Sequence, residues 1–122
     1  MSDYHEPPQE LDETTRNYTR ALSSLKEEVE AVFWYNERAQ LSQDTSLKRI
    51  LLHNRDEEME HASMTLEWLR RNMPGWDDAL RTYLFTEKDI VSIEDEEEGG
   101  ESSPGSTASG LGIGKIKDDS EA

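Results

Sequence analysis

Residues 21–69 read ALSSLKEEVEAVFWYNERAQLSQDTSLKRILLHNRDEEMEHASMTLEWL, and this stretch decides the fold. No Pro or Gly interrupts it. Leu22, Leu25, Val29 and Val32 recur with the spacing of one helix face. LSQDTS then supplies turn and capping residues, with Ser42 and Asp44 as the candidate caps. A second helix is expected over about 45–72, its stripe formed by Leu47, Ile50, Leu51, Met64, Trp68 and Leu69. Pro74-Gly75 stops it, and a short third helix from Trp76 to about Phe85 presents Leu80, Tyr83 and Leu84. No window alternates strictly between apolar and polar, so strands are not expected. The class is all-α: two long antiparallel helices and a short third.

Polar residues interrupt both stripes. On the first helix the row Ala21, Leu25, Glu28, Val32, Tyr35, Ala39 has Glu28 at its centre. On the second, Leu47, Leu51, Asn54, Glu58, His61, Thr65, Trp68 carries Glu58 and His61 at its centre. A carboxylate facing a core is costly unless it is paired or binds a metal. Glu58 and His61 are spaced i, i+3, so one cation can take an oxygen from one and a nitrogen from the other. With the turn centred on Gln43, Glu28 and Glu58 lie equally far from it along the chain. In an antiparallel hairpin both then sit at one height, roughly 22 Å from the turn, and their side chains can converge with His61 on one point. His53 and Asn54 are read as structural, and His5 as an exposed arm residue.

Ferritin-like di-iron bundles use one Glu from each of two helices and a Glu-x-x-His from each of two others. This chain has one helix of each kind, which is half a site. Composition points the same way. Only 33% of the 122 residues are hydrophobic and 34% are charged, so one subunit buries a thin core. A homodimer closing a ferritin-like four-helix bundle supplies both the missing ligands and the missing core. Carboxylate and imidazole ligands suit Fe, Mn or Zn. Read from the residues alone, alternatives stay open. Arg38 or Arg55 can satisfy Glu28 and Glu58, Tyr35 serves equally as a core residue, and Glu27 and Glu30 read as a solvated face.

The remaining composition excludes several classes. A net charge of −15 disfavours nucleic acid as a partner. With no Cys, disulfide scaffolds, thiolate metal sites and thiol nucleophiles are excluded. The longest apolar run, Ala31–Tyr35, is far too short to span a membrane, and MSDYHEPPQE has no apolar signal segment. A cytoplasmic protein is expected. Residues 1–10 read as a loose arm and 11–93 as the helical domain. Residues 94–110 read as an acidic and Gly/Ser-rich linker with no hydrophobic face, and 111–122 as a short tail with a small apolar cluster.

KEEVEAVFWYNER (26–38), HNRDEEMEHASMTLEWLRR (53–71) and LRTYLFTE (80–87) resemble the encapsulated ferritins, iron oxidases carried inside encapsulin shells. LGIGKIK (111–117) resembles their cargo-loading peptide, with Leu111, Gly112, Ile113, Gly114 and Ile116 as its contact residues. The resemblance implies a two-helix protomer with a short third helix, dimers arranged as an annular decamer, and localisation within the encapsulin nanocompartment. It implies a di-iron ferroxidase centre between two chains, two Fe per dimer, with Glu28, Glu58 and His61 as catalytic metal ligands and Glu58 bridging. Fe(II) and dioxygen are the implied reactants. Glu27 and Glu30 match a metal-uptake site that takes calcium or another divalent cation, and Trp34 and Tyr35 match aromatics beside these sites. The alternative is a non-catalytic cargo protein that uses the same ligands for a structural ion.

Overall fold

The structure, a computed structural model, describes residues 3–99. Every regular element within them is helical: a 3-10 turn over Pro8–Glu10, then α1 (Glu13–Leu41), α2 (Thr45–Asn72), α3 (Trp76–Tyr83) and α4 (Ile90–Gly99). The chain divides into two compact units, Met1–Leu69 and Arg70–Ala122.

In the first unit, Asp12 caps α1 by accepting the Thr15 N–H at 2.8 Å. Arg16 and Arg20 reach back to Glu13 across the first turns. The helix closes where the Ser42 N–H donates to the Arg38 carbonyl. Of the two candidate caps, Asp44 takes the role at α2: it accepts the Leu47 N–H at 2.8 Å. Three residues therefore join two helices of 29 and 28 residues. Two contacts between the helices fix their antiparallel register. Arg55 donates to the Asn36 side-chain oxygen at 2.9 Å, and the Tyr18 and Trp68 rings meet edge to face at 6.5 Å. The pairs 36/55 and 18/68 bracket Glu28 opposite the stretch of α2 that holds Glu58 and His61.

The arm is not loose where it is described. Asp3 accepts from the Ser23 hydroxyl and pairs with Lys26 at 2.8 Å. The Arg16 guanidinium donates to the Pro8 carbonyl at 2.7 Å. Pro7-Pro8 stiffens the segment and opens its 3-10 turn, so little chain entropy is left to hold it away from α1.

In the second unit, α3 starts after Gly75, whose φ of +104° suits glycine. Asp77 binds Arg70 and Arg81, tying the end of α2 to α3. Asp89 caps α4 by accepting the Ser92 N–H at 3.1 Å, and Ile93 is buried. This corrects the boundary expected at residue 94. Glu94–Glu98 continue α4, and Lys88 pairs with Glu96 at 3.0 Å. The cap at Asp89 and the buried Ile93 seed the helix, and glutamate propagates it well. The remaining expected linker, 100–110, and the tail, 111–122, lie outside the described residues.

Among the described residues the buried apolar core is Ala39, Leu69 and Ile93. Val29, Phe33, Trp34, Ile50, Met59 and Met64 are all exposed. Among the described residues the core is thin, as expected from composition.

Candidate metal centre

α1 carries Glu28 on the row it shares with Leu25, Val32 and Tyr35. The side chain is half-buried, and its Oε1 is fully buried with no hydrogen-bond partner. A buried carboxylate oxygen without a donor is costly, and such atoms call for an explanation. The arginines that could have satisfied the two glutamates are directed elsewhere. Arg55 binds Asp56 and Asn36, and Arg38 lies over the Tyr35 ring, 5.4 Å from its centroid.

α2 carries Glu58 and His61 one turn apart. Their side chains face each other, His61 Nδ1 to Glu58 Oε1 at 3.6 Å, so the i, i+3 pairing read from the sequence is formed. His61 Nε2 lies 3.9 Å from Glu57 Oε1, and His53 Nε2 lies 3.8 Å from the other Glu57 oxygen. Glu57 therefore stands between two imidazoles. The sequence reading passed over it, and the signal it left was the regular spacing His53, Glu57, His61.

Within one chain Glu58 and His61 meet, and Glu28 does not join them. Among the described residues no group of three or more His, Asp or Glu side chains lies close enough to hold one ion. The convergence of all three on one point is therefore not completed inside a protomer. Helix axes stand about 8–10 Å apart, and like-charged carboxylates facing across that gap repel.

On α1, Glu27 is exposed and Glu30 half-buried. Trp34 lies one further turn along that face and packs edge-on against Phe33, centroids 5.7 Å apart. Tyr35 lies on the Glu28 row, half-buried beneath Arg38. The structure thus places Glu27, Glu30 and Trp34 on one face, with Glu28 and Tyr35 on the neighbouring one. The five residues of the expected tail peptide, Leu111 to Ile116, lie outside the described residues.

The EncFtn-like family model matches residues 3–87, which span the arm, both long helices and α3. The chain belongs to the EncFtn-like family. It is 59% identical over 113 residues to a ferritin-like protein of Thermotoga maritima, covering 93% of this chain and 96% of that one. It is 54% identical over 121 residues to an encapsulated ferritin-like protein of Rhodospirillum rubrum, covering 93% and 86%. Among solved structures, a protein of Nitrosomonas europaea superposes with a TM-score of 0.72 at 54% identity, covering 74% of this chain and 99% of that one. The EncFtn-like chain thus has the all-α, ferritin-like helical fold read from its periodicity. Among its described residues no helix is long and apolar enough to cross a membrane.

Proposed function

We propose that this chain oxidises iron(II) to iron(III) with dioxygen at a two-iron centre formed between two copies, as cargo of an encapsulin shell that stores the product. The observation that carries the reading is the orphaned, buried Oε1 of Glu28, opposite the stretch of α2 where Glu58 and His61 face each other. That donor set, carboxylate oxygens with one imidazole nitrogen, fits iron(II). One protomer contributes Glu28 from one helix and Glu58 with His61 from the other. A two-fold partner doubles this to the six-ligand set of a ferritin-like bundle.

Iron(II) is the substrate, each ion yielding one electron, with dioxygen as the acceptor. The role of the chain is to hold two ions side by side in a setting partly shielded from water. Glu58, which faces His61 across one helical turn, is the ligand assigned to be shared between the ions. Glu57 lies 3.9 Å from the second nitrogen of His61, close enough to take up that N–H when the imidazole turns to a metal. Glu27 and Glu30 form an acidic approach on the adjoining face, where iron(II) or another divalent cation such as calcium is first held. Trp34 and Tyr35 flank that approach. Capture in the shell is assigned to the segment 111–117, in keeping with the name of the Rhodospirillum rubrum relative. In co-assembled particles this protein is then inside the nanocompartment, in an annular decamer of five dimers.

Anaerobic iron(II) loading followed by air tests the proposal, read as the rise of ferric absorbance. Glu58→Ala and His61→Ala are each expected to lose fast oxidation, falling at least tenfold. Oxidation at the parent rate in both would remove these residues from the centre.

A further inference from the structure

Lys26 stands beside the proposed approach carboxylates in the sequence, and its ammonium bonds Asp3. It precedes Glu27 and lies one helical turn before Glu30, a spacing at which lysine and glutamate side chains can meet. Its bond to Asp3 chiefly, with smaller contributions from the Glu30 and Glu27 charges, raises the ammonium above the usual lysine range. The bond to Asp3 measures 2.8 Å. The other Asp3 oxygen takes the Ser23 hydroxyl, so both oxygens of the carboxylate are committed to α1. Arg16 fastens the arm a second time at the Pro8 carbonyl. The arm thus runs antiparallel to the first half of α1, clipped at two points, with the outer clip made by Lys26, which precedes Glu27.

We propose that the N-terminal arm is an electrostatic latch: Asp3 holds the Lys26 ammonium off Glu27 and Glu30, leaving those carboxylates available to divalent cations. This rests on the assignment of Glu27 and Glu30 as the approach site. When the latch opens, Lys26 turns to the glutamates, occupies their oxygens and repels an arriving cation. Lys26 is therefore a positioning residue for iron uptake. Its link to Asp3 gives the arm a means of setting uptake without touching the oxidation centre. The effect belongs to exposed charges, so it is modest and fades with salt.

The test is a charge-swap cycle in the full-length protein, with Mn(II) as the probe and free Mn(II) followed by electron paramagnetic resonance. The readout is the part of Mn(II) uptake that Glu27→Ala/Glu30→Ala removes. Asp3→Asn is expected to weaken that part about two- to fivefold at low salt. Asp3→Asn/Lys26→Gln, which restores the net charge of the pair, is expected to return it to the parent level or above. If Asp3→Asn and the double variant weaken uptake equally, the arm acts only as scaffolding and the latch is overturned. If Asp3→Asn changes nothing while Glu27→Ala/Glu30→Ala lowers uptake, the latch is overturned and the approach site stands. If Glu27→Ala/Glu30→Ala itself changes nothing, the approach site fails and the latch with it.

Discussion

Glu28 shows how one residue can be unfavourable in the fold and informative about function. Its buried oxygen lacks a donor, and the neighbouring arginines are bound to other groups. An unsatisfied buried polar atom costs about 1–3 kcal/mol. Glu28→Met removes the carboxylate at similar length. In chelator, the variant is expected to melt a few degrees above the parent, and iron oxidation is expected to collapse. Calorimetry with and without iron checks both halves. A variant less stable than the parent in chelator would mean that Glu28 is already satisfied in solution. His61 behaves differently, because its two nitrogens have carboxylates on the same helix. Its carboxylate neighbours are set locally, by i, i+3 and i, i+4 spacing on α2.

At the scale of elements, capping decided most boundaries. Asp12 and Asp44 start α1 and α2 by accepting a backbone N–H three positions on, and of the two Asp44 was among the candidate caps read from the sequence. Asp89 starts α4 by the same device, but there the acidic run that follows masked the helix. Glu94–Glu98 offer no apolar face, and the reading from hydrophobicity alone ended the domain too soon. α3 depends instead on Asp77, clasped by Arg70 and Arg81. The Arg70 hydrogen bond chiefly, aided by Arg81, holds the Asp77 carboxyl below the usual aspartate range. A carboxyl depressed by folding adds stability above its unfolded value, and that contribution is lost as pH falls through its folded value. The parent should therefore lose α3 stability as pH drops below about 4. Asp77→Asn should be less stable at neutral pH and flatter across that acid window. Chemical denaturation at pH 7 and pH 3 measures the difference, and equal acid sensitivity in both proteins would exclude Asp77 as its source.

At the scale of the whole molecule, the exposed apolar side chains and the proposed ligand set, which one chain half supplies, would both be completed by a second copy. Phe33, Trp34, Ile50 and Met64 stand exposed on a chain whose buried apolar core among the described residues is three side chains. In the proposed centre, the four carboxylates among six ligands at a two-fold would repel one another without a cation between them. Divalent metal is therefore expected to shift the protein toward larger oligomers, and Glu58→Ala to blunt that shift. Native mass spectrometry with and without iron(II) reads the distribution; one indifferent to metal in both proteins counts against a centre between chains. Removing residues 111–122 is expected to leave iron oxidation intact and abolish loading. Leu111, Ile113 and Ile116 are too few to fold alone and need a groove in which to leave water. Several copies on one ring would bind together, raising overall affinity by roughly 10²–10⁴. Co-expression with encapsulin and purification of shells tests this, and parent-level loading of the truncated protein would leave the tail without a role.

Periodicity, turn chemistry and the interruptions of the two stripes determined the helical hairpin, its turn and the candidate ligands from the sequence alone. Each of these is a local property, set by 3.6 residues per turn and by side chains that cap or break a helix. Tertiary structure decided what depends on groups distant in the chain. It sent Arg38 and Arg55 away from Glu28, left the Glu28 oxygen without a donor and clipped Asp3 to Lys26. None of these could be read from spacing, because each is a choice among several partners of similar chemistry. Distance in three dimensions, and not position in the chain, selects among them.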